Sequence, residues 1–200
     1  PATADIALPK LFSDHMVLQR EQSIRIRGTA DADERLTIKF AGRENETVAD
    51  ADGNWSAVIQ TGPAGGPHQL EVASRDSPTS VVFQDVLVGD VWICGGQSNM
   101  QWPIGKSSNS DTAVEQAKDF PNIRVFNVKP DTSTEIREDF KKVNPWYCCS
   151  PESIKDFSAV AYFFGRELNR DLEVPIGLIK LTRPGSTLEA WTPYDVLEQD

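Results

Sequence analysis

Histidine and cysteine are scarce in this 200-residue sequence, and long apolar runs are missing from it. The histidines are His15 and His68, and the cysteines are Cys94, Cys148 and Cys149. Three cysteines are too few for a disulfide scaffold, although a disulfide to a distant partner stays open. The adjacent Cys148 and Cys149 lack the Cys-x-x-Cys spacing of a zinc or redox site, so we predict no metal site. No apolar stretch approaches the roughly 18 residues that cross a bilayer, and we expect no membrane partner.

Basic residues are also in deficit. The chain has 20 lysines and arginines against 30 aspartates and glutamates, which gives a net charge of −10. Such a surface repels nucleic-acid phosphates, so we expect no nucleic-acid partner. A neutral or sugar-like substrate is compatible with this charge.

The residue pattern of the sequence changes near residue 85. Short alternating segments at 24–28, 36–40 and 70–72, separated by glycine, proline and aspartate turns, predict an antiparallel β-sandwich over residues 1–84. Residues 85–200 alternate between a buried strand at 86–94, a helix at 110–118, a strand at 123–128, a longer helix and a strand at 175–182. The longer helix is expected to pack on the sheet through Phe157, Val160, Phe164 and Leu168. This order predicts an α/β unit with a doubly wound parallel sheet.

The segment 95–100, Gly-Gly-Gln-Ser-Asn-Met, follows the first of these strands. Two glycines permit a sharp turn, and a helix is expected to begin just after Ser98. A serine there exposes its hydroxyl at the carboxyl end of a strand, and backbone N–H groups at a helix start stabilise an oxyanion. The alternative is an ordinary loop in which Ser98 caps the helix. The residues alone leave both interpretations open.

Four segments resemble, in order, the N-terminal portion of the sialate O-acetylesterase family of SGNH hydrolases: 11–20, 91–103, 156–168 and 184–191. The resemblance implies Ser98 as the nucleophile, with the N–H groups of Ser98 and Gly185 as oxyanion donors and no metal or organic cofactor. It also implies a pocket lined by Gln97, Arg183, Glu189 and Trp191. As alternatives, Gly185 is a plain turn residue, Glu189 caps the following turn and Trp191 only packs. Pro184 stands where family members usually have a glycine.

The base that a serine esterase needs is missing from the pattern. Phe12 and Gly65 stand three residues before the two histidines, where the family's Asp-x-x-His block has aspartate, and its Gly-Glu-x-Asn block is absent as well. We therefore expect the C-terminal remainder of the same hydrolase domain to supply these groups, and we expect the 200-residue chain alone to be inactive. Otherwise the chain has lost catalysis and retains a sugar-binding surface.

Together these features predict an α/β protein with an all-β N-terminal domain, namely an antiparallel β-sandwich followed by part of an SGNH hydrolase domain. The predicted function is a carbohydrate O-acetylesterase acting on an acetylated carbohydrate, and the alternative is a non-catalytic carbohydrate-binding β-sandwich module. By the resemblance alone, a secreted or periplasmic location is favoured.

Overall fold

The computed structural model describes residues 5–133 and 135–198. Most of the regular structure up to residue 96 is antiparallel β-sheet. The strands are β1 (Val17–Gln19), β2 (Ser23–Thr29), β3 (Arg35–Phe40), β4 (Arg43–Val48), β5 (Asn54–Gln60), β6 (Gly65–Ser74) and β7 (Ser80–Gly96). β2 and β5 form a two-stranded sheet, and Thr29 of β2 also bridges to Ala7. In the larger sheet β4, β3, β6 and β7 pair in that order, and β1 adds to β7 in parallel. The strands predicted at 24–28, 36–40 and 70–72 are thus confirmed.

Alternating burial explains why these segments form strands around one core. In β5, Trp55, Ala57 and Ile59 are buried while the residues between them are exposed, as period-two patterning requires. They share an apolar cluster with Ile26 of β2 and with buried residues of the other sheet, including Leu36, Ile38, Phe40, Leu70, Val72, Val86 and Val88. The core therefore lies between the two sheets.

β7 belongs to both halves of the molecule. Its first part pairs with β6 and β1, and residues 90–96 pair in parallel with β10 (Ile176–Thr182). The two parts meet at Gly89, where a Cβ atom would lie 2.0 Å from the carbonyl oxygen of Pro175. The boundary predicted after residue 84 falls inside this strand, and the division into two domains stays a prediction.

The second part of the molecule is a mostly parallel sheet of order β7-β10-β8-β9. β8 (Ile123–Val128) is parallel to β10, and β9 (Val143–Cys148) is antiparallel to β8. β8 and β10 confirm the strands predicted at 123–128 and 175–182, whereas β9 was not predicted. On its other edge, residues 91–96 of β7 have no strand partner among the described residues. The chain is thus a mixed, sheet-rich α/β protein.

The longest helix packs through only part of the predicted face, because Phe157 just before it is buried and Leu168 packs against the core, while the other two predicted residues do not. The helices are α1 (Ser98–Gln101), α2 (Ser110–Glu115), α3 (Pro151–Ile154), α4 (Ala159–Leu172) and α5 (Tyr194–Leu197). In α4, Ala161, Tyr162 and Gly165 are buried, whereas Val160 and Phe164 are 49% and 42% exposed. The predicted packing of Val160 and Phe164 is therefore wrong. A Cβ on Gly165 would lie 2.8 Å from Leu178, so the helix approaches the sheet most closely at its smallest residue.

Two further findings bear on the predicted elements. The helix predicted at 110–118 ends as α2 at Glu115 and continues as a 3₁₀ turn, Gln116–Asp119. None of the helices in residues 5–133 and 135–198 has the length and apolar character needed to cross a membrane.

Candidate active site

Ser98 is the first residue of α1, directly after the turn that ends β7. Gly96 has a φ of 149°, which lets the backbone turn, and the amide of Gln101 donates to the carbonyl of Gln97 at 3.0 Å. The cap position falls on Gln97, whose side chain makes no capping hydrogen bond. Ser98 itself is exposed. Ser98 is therefore exposed just beyond the carboxyl end of β7, and its role as nucleophile stays a prediction.

Gly185 follows the neighbouring strand at the same edge of the sheet. Thr182 at the end of β10 is the register partner of Gly96, and the Arg183 amide donates to the Gly96 carbonyl at 3.0 Å. The chain then turns at Gly185, which has a left-handed φ of 73°. Ser98 and Gly185 thus leave the sheet from adjacent strand ends.

Hydrogen bonds tie the two turns together. The Gln97 side-chain amide donates to the Ser186 carbonyl at 2.7 Å, and the Trp191 indole N–H donates to the Ser186 hydroxyl at 2.8 Å. The Trp191 ring also lies against Gly95, where a Cβ would be 3.4 Å from it. Gln97 and Trp191, which the resemblance implied as pocket residues, therefore hold the Gly185 turn beside the Ser98 turn. Their spacing in sequence gives no sign of these bonds.

Arg183 and Glu189 differ in their surroundings. Arg183 is exposed and lines a cleft described below. Glu189 lies in the 3₁₀ turn Leu188–Trp191, and a hydrogen bond from the Thr187 side chain lowers the pKa of its carboxyl group. That bond joins Glu189 to the residue just before its own turn, so it does not test the alternative that Glu189 caps the following turn. The oxyanion and pocket roles of all these residues stay predictions.

A cleft of about 1190 Å³ opens beside the Gly185 turn. It lies between β2, the segments 128–133 and 137–141, and the segment 181–191, and Trp191 forms part of its wall. Three carboxylates line it, namely Asp131, Glu138 and Asp139. Six cationic side chains line it as well, namely Arg25, Arg27, Lys129, Arg137, Lys141 and Arg183. Positive charge is therefore concentrated here in a chain whose net charge is −10.

Neither histidine lies at the Ser98 end of the sheet. His68 in β6 packs edge-on against the Phe40 ring at 5.4 Å. His15 Nδ1 lies 2.7 Å from Asp85 Oδ2, which makes an aspartate–histidine pair. However, Asp85 is separated from Gly96 by about 36 Å of extended strand at about 3.3 Å per residue. Neither imidazole is in place to take a proton from Ser98.

Comparison with known proteins shows which family this chain resembles. A family model described as carbohydrate esterase, sialic acid-specific acetylesterase, matches residues 88–199. Sialate O-acetylesterases from human and mouse are 31% and 30% identical over 90% and 94% of this chain. The chain covers only 38% and 37% of their lengths, so it spans well under half of these relatives.

A solved structure is also similar. The crystal structure of a carbohydrate acetylesterase from Xanthomonas citri matches 98% of this chain with a TM-score of 0.92 and 35% identity, over 44% of its own length. With the family match over more than half of the sequence, the chain belongs to the carbohydrate esterase family of sialic acid-specific acetylesterases.

Proposed function

We propose that this chain is the N-terminal portion of a carbohydrate O-acetylesterase that removes acetyl groups from sugar hydroxyls through an acyl-enzyme on Ser98. In this proposal, residues 1–84 form a β-sandwich domain and residues 85–200 form the first part of a doubly wound SGNH hydrolase domain. One observation supports it most strongly. Ser98 and Gly185 leave adjacent strand ends, and the Gln97–Ser186 hydrogen bond joins their turns.

The reaction needs three groups around the acetyl ester. The Ser98 hydroxyl oxygen attacks the acetyl carbonyl while a histidine takes its proton, and the oxyanion accepts hydrogen bonds from the Ser98 and Gly185 amides. Collapse of the tetrahedral intermediate expels the sugar alcohol, which receives the proton from that histidine. Water then releases acetate by the same steps. No step uses a metal or an organic cofactor.

The histidine and its aspartate come, in this proposal, from the C-terminal remainder of the same hydrolase domain. Three features of the described chain support an incomplete site. Ser98 is exposed, residues 91–96 of β7 have an edge without a strand partner, and Trp92 and Ile93 at that edge are 42% and 71% exposed. Parallel sheets are normally covered on both faces and continued at such edges.

We place the acetylated carbohydrate in the cleft beside the Gly185 turn. Trp191 is 41% exposed and offers an aromatic surface to a sugar ring. Arg183 and Arg25 approach the cleft from different segments and are donors for sugar hydroxyl or carboxylate oxygens. The acetyl group would then lie toward Ser98, on the far side of Trp191.

A non-catalytic carbohydrate-binding module is the second candidate. It is favoured by one observation, namely that both histidines are far from Ser98 while the cleft is lined partly by β2 of the antiparallel part. On this reading, the cleft binds sugar and Ser98 performs no chemistry.

Ester hydrolysis separates the candidates. We would measure kcat/KM on p-nitrophenyl acetate and on acetylated xylan, using the 200-residue chain and a polypeptide extended to the length of its relatives. In the extended protein, Ser98→Ala is expected to lower kcat/KM by at least about a thousandfold. The matched control is Ser108→Ala, an exposed serine ten positions along, which should stay within about twofold.

The outcomes are distinct. Equal rates for wild type and Ser98→Ala in the extended protein would show that Ser98 forms no acyl-enzyme. Retained binding of acetylated oligosaccharide without any Ser98-dependent hydrolysis would favour the binding module. The 200-residue chain is expected to show only background hydrolysis in either case.

A further inference from the structure

A second group of reactive side chains lies at the opposite end of β7 from Ser98. The Nδ1 atom of His15, a carboxylate oxygen of Asp85 and the Sγ atom of Cys148 lie within 4.8 Å of one another. They come from three separate segments: the residues before β1, the middle of β7 and the end of β9. The proposed esterase chemistry uses none of them.

We propose that His15, Asp85 and Cys148 bind a divalent transition-metal ion such as Zn²⁺, with water as the fourth ligand. Imidazole nitrogen, carboxylate oxygen and thiolate sulfur are the ligand types that Zn²⁺ takes. With bonds of about 2.0 Å to N or O and about 2.3 Å to S, a tetrahedral site has N–O edges of about 3.3 Å and edges to sulfur of about 3.5 Å.

The observed separations are close to these edges. Cys148 Sγ lies 3.8 Å from His15 Nδ1 and 4.0 Å from Asp85 Oδ2, and the His15–Asp85 distance is 2.7 Å. Binding an ion therefore needs shifts of roughly half an ångström. The side chains of His15 and Asp85 are 44% and 32% exposed, so an ion and its water ligand have access from solvent.

Arg124 fixes the carboxylate from the protein side. Its guanidinium donates from Nη1 to Asp85 Oδ2 at 2.5 Å and from Nη2 to Asp85 Oδ1 at 3.2 Å, and its Nε donates to the Pro121 carbonyl. Carboxylate ligands of metals are commonly held by such outer hydrogen bonds. Because Arg124 Nη1 is also 3.4 Å from His15 Nδ1, the ion enters on the Cys148 side, away from the guanidinium.

Charge and proton balance are consistent with this site. Binding breaks the Cys148 S–H bond and forms a metal–thiolate bond, and the thiol proton leaves to solvent. His15 then binds through Nδ1 and carries its proton on Nε2. The carboxylate and thiolate then face the two positive charges of the ion and the one on Arg124, so the site keeps a single positive charge. The net charge of −10 favours cation binding generally.

The three ligands come from distant parts of the sequence. The ligands are 70 and 63 positions apart in sequence, so no local spacing predicts the site.

Cobalt titration of the reduced 200-residue chain tests the proposal. Co²⁺ alone is the probe, because a thiolate ligand gives it a near-ultraviolet charge-transfer band. We expect one Co²⁺ per chain with this band, and displacement by one equivalent of Zn²⁺. Cys148→Ser should abolish the band, and His15→Ala should weaken binding more than tenfold. The matched controls, Cys149→Ala and His68→Gln, should retain both.

Two results would overturn the proposal: no saturable cobalt binding by the wild type, or a charge-transfer band that survives Cys148→Ser and disappears in Cys149→Ala. Circular dichroism of each variant verifies folding. Ser98→Ala should bind Co²⁺ like the wild type, so the test of the metal site is independent of the test of the esterase proposal.

Discussion

Replacement of Gly89 by alanine is expected to destabilise the chain strongly, because β7 passes there from one sheet partner to the next. The new Cβ would lie 2.0 Å from the Pro175 carbonyl oxygen, and contacts under 3.0 Å essentially never occur. The strand must therefore move by at least about 1 Å relative to Pro175. That movement disrupts the hydrogen bond from the Asp90 amide to the Pro175 carbonyl, which is 2.9 Å long.

The magnitude follows from three contributions. Overpacking strain costs about 1–3 kcal/mol and the lost hydrogen bond about 1 kcal/mol. Alanine restricts the unfolded chain more than glycine does, and this offsets about 0.4–1 kcal/mol of the destabilisation. We expect Gly89→Ala to lower the free energy of unfolding by about 1–3.5 kcal/mol, and at about 2–4 °C per kcal/mol to lower Tm by roughly 2–14 °C.

Urea unfolding followed by circular dichroism measures this change. Gly95→Ala in the same strand is the control, because its Cβ would meet its nearest neighbour, the Trp191 ring, at 3.4 Å. Gly95→Ala should change the free energy of unfolding by less than about 0.5 kcal/mol, apart from the intrinsic preference of alanine over glycine in a strand. If Gly89→Ala unfolds within about 0.5 kcal/mol of wild type, the close approach of β7 to Pro175 is not as described.

The remaining predictions concern Asp85 and the cysteines. Asp85→Asn should lower the free energy of unfolding by about 3 kcal/mol, because it leaves the buried Arg124 guanidinium without its carboxylate. The control is Glu138→Gln, which removes one partner of an exposed ion pair and should lower the free energy of unfolding by under about 0.5 kcal/mol in the same assay. Arg124 lowers the pKa of Asp85, so this stability is present above about pH 4 and is lost as the pH falls through the native pKa; Asp85→Asn should lack that acid-dependent loss. With a thiol reagent at pH 8, only Cys148 should react quickly, because burial raises the pKa of Cys94 to about 11 and that of Cys149 to about 12. Fast labelling that persists in Cys148→Ser would contradict this.

Sequence pattern predicted the elements whose periodicity is set locally. The alternating strands of the antiparallel part and the strand ends that present Ser98 and Gly185 are of this kind. β9 was missed because Asn144 and Pro145 interrupt its apolar pattern, and its pairing with β8 is irregular at that point. Long-range pairing, which the sequence does not display, forms this strand.

The unexpected exposure of Val160 and Phe164 on α4 has a different physical cause. Apolar spacing places Val160 and Phe164 inward, yet the helix approaches Leu178 through Gly165, and that contact rotates the larger residues outward. Phe164 then packs edge-on against Trp92 at 5.0 Å. The close approach at Gly165 therefore determined which residues of α4 are buried more strongly than the apolar pattern did.

The candidate site shows the same limit. The turn chemistry around Ser98 is local and was read from the sequence, whereas the bond from Gln97 to Ser186 joins residues 89 positions apart. The pairing of His15 with Asp85 spans 70 positions and has no sequence signature. Contacts of this range depend on the register of β7 with its neighbours.

The continuity of β7 also determines how this protein can be divided in the laboratory. A fragment that ends at residue 84 keeps the pairing of β6 with residues 80–83, but it loses the β6 partners Val86 and Val88 and the stretch that pairs with β1. The complementary fragment begins with a strand that has lost most of its antiparallel neighbour. No cut between Ser80 and Gly96 leaves both sheets whole. Expression of either half alone should therefore begin upstream of residue 80 or end beyond residue 96, with the strand duplicated in both pieces.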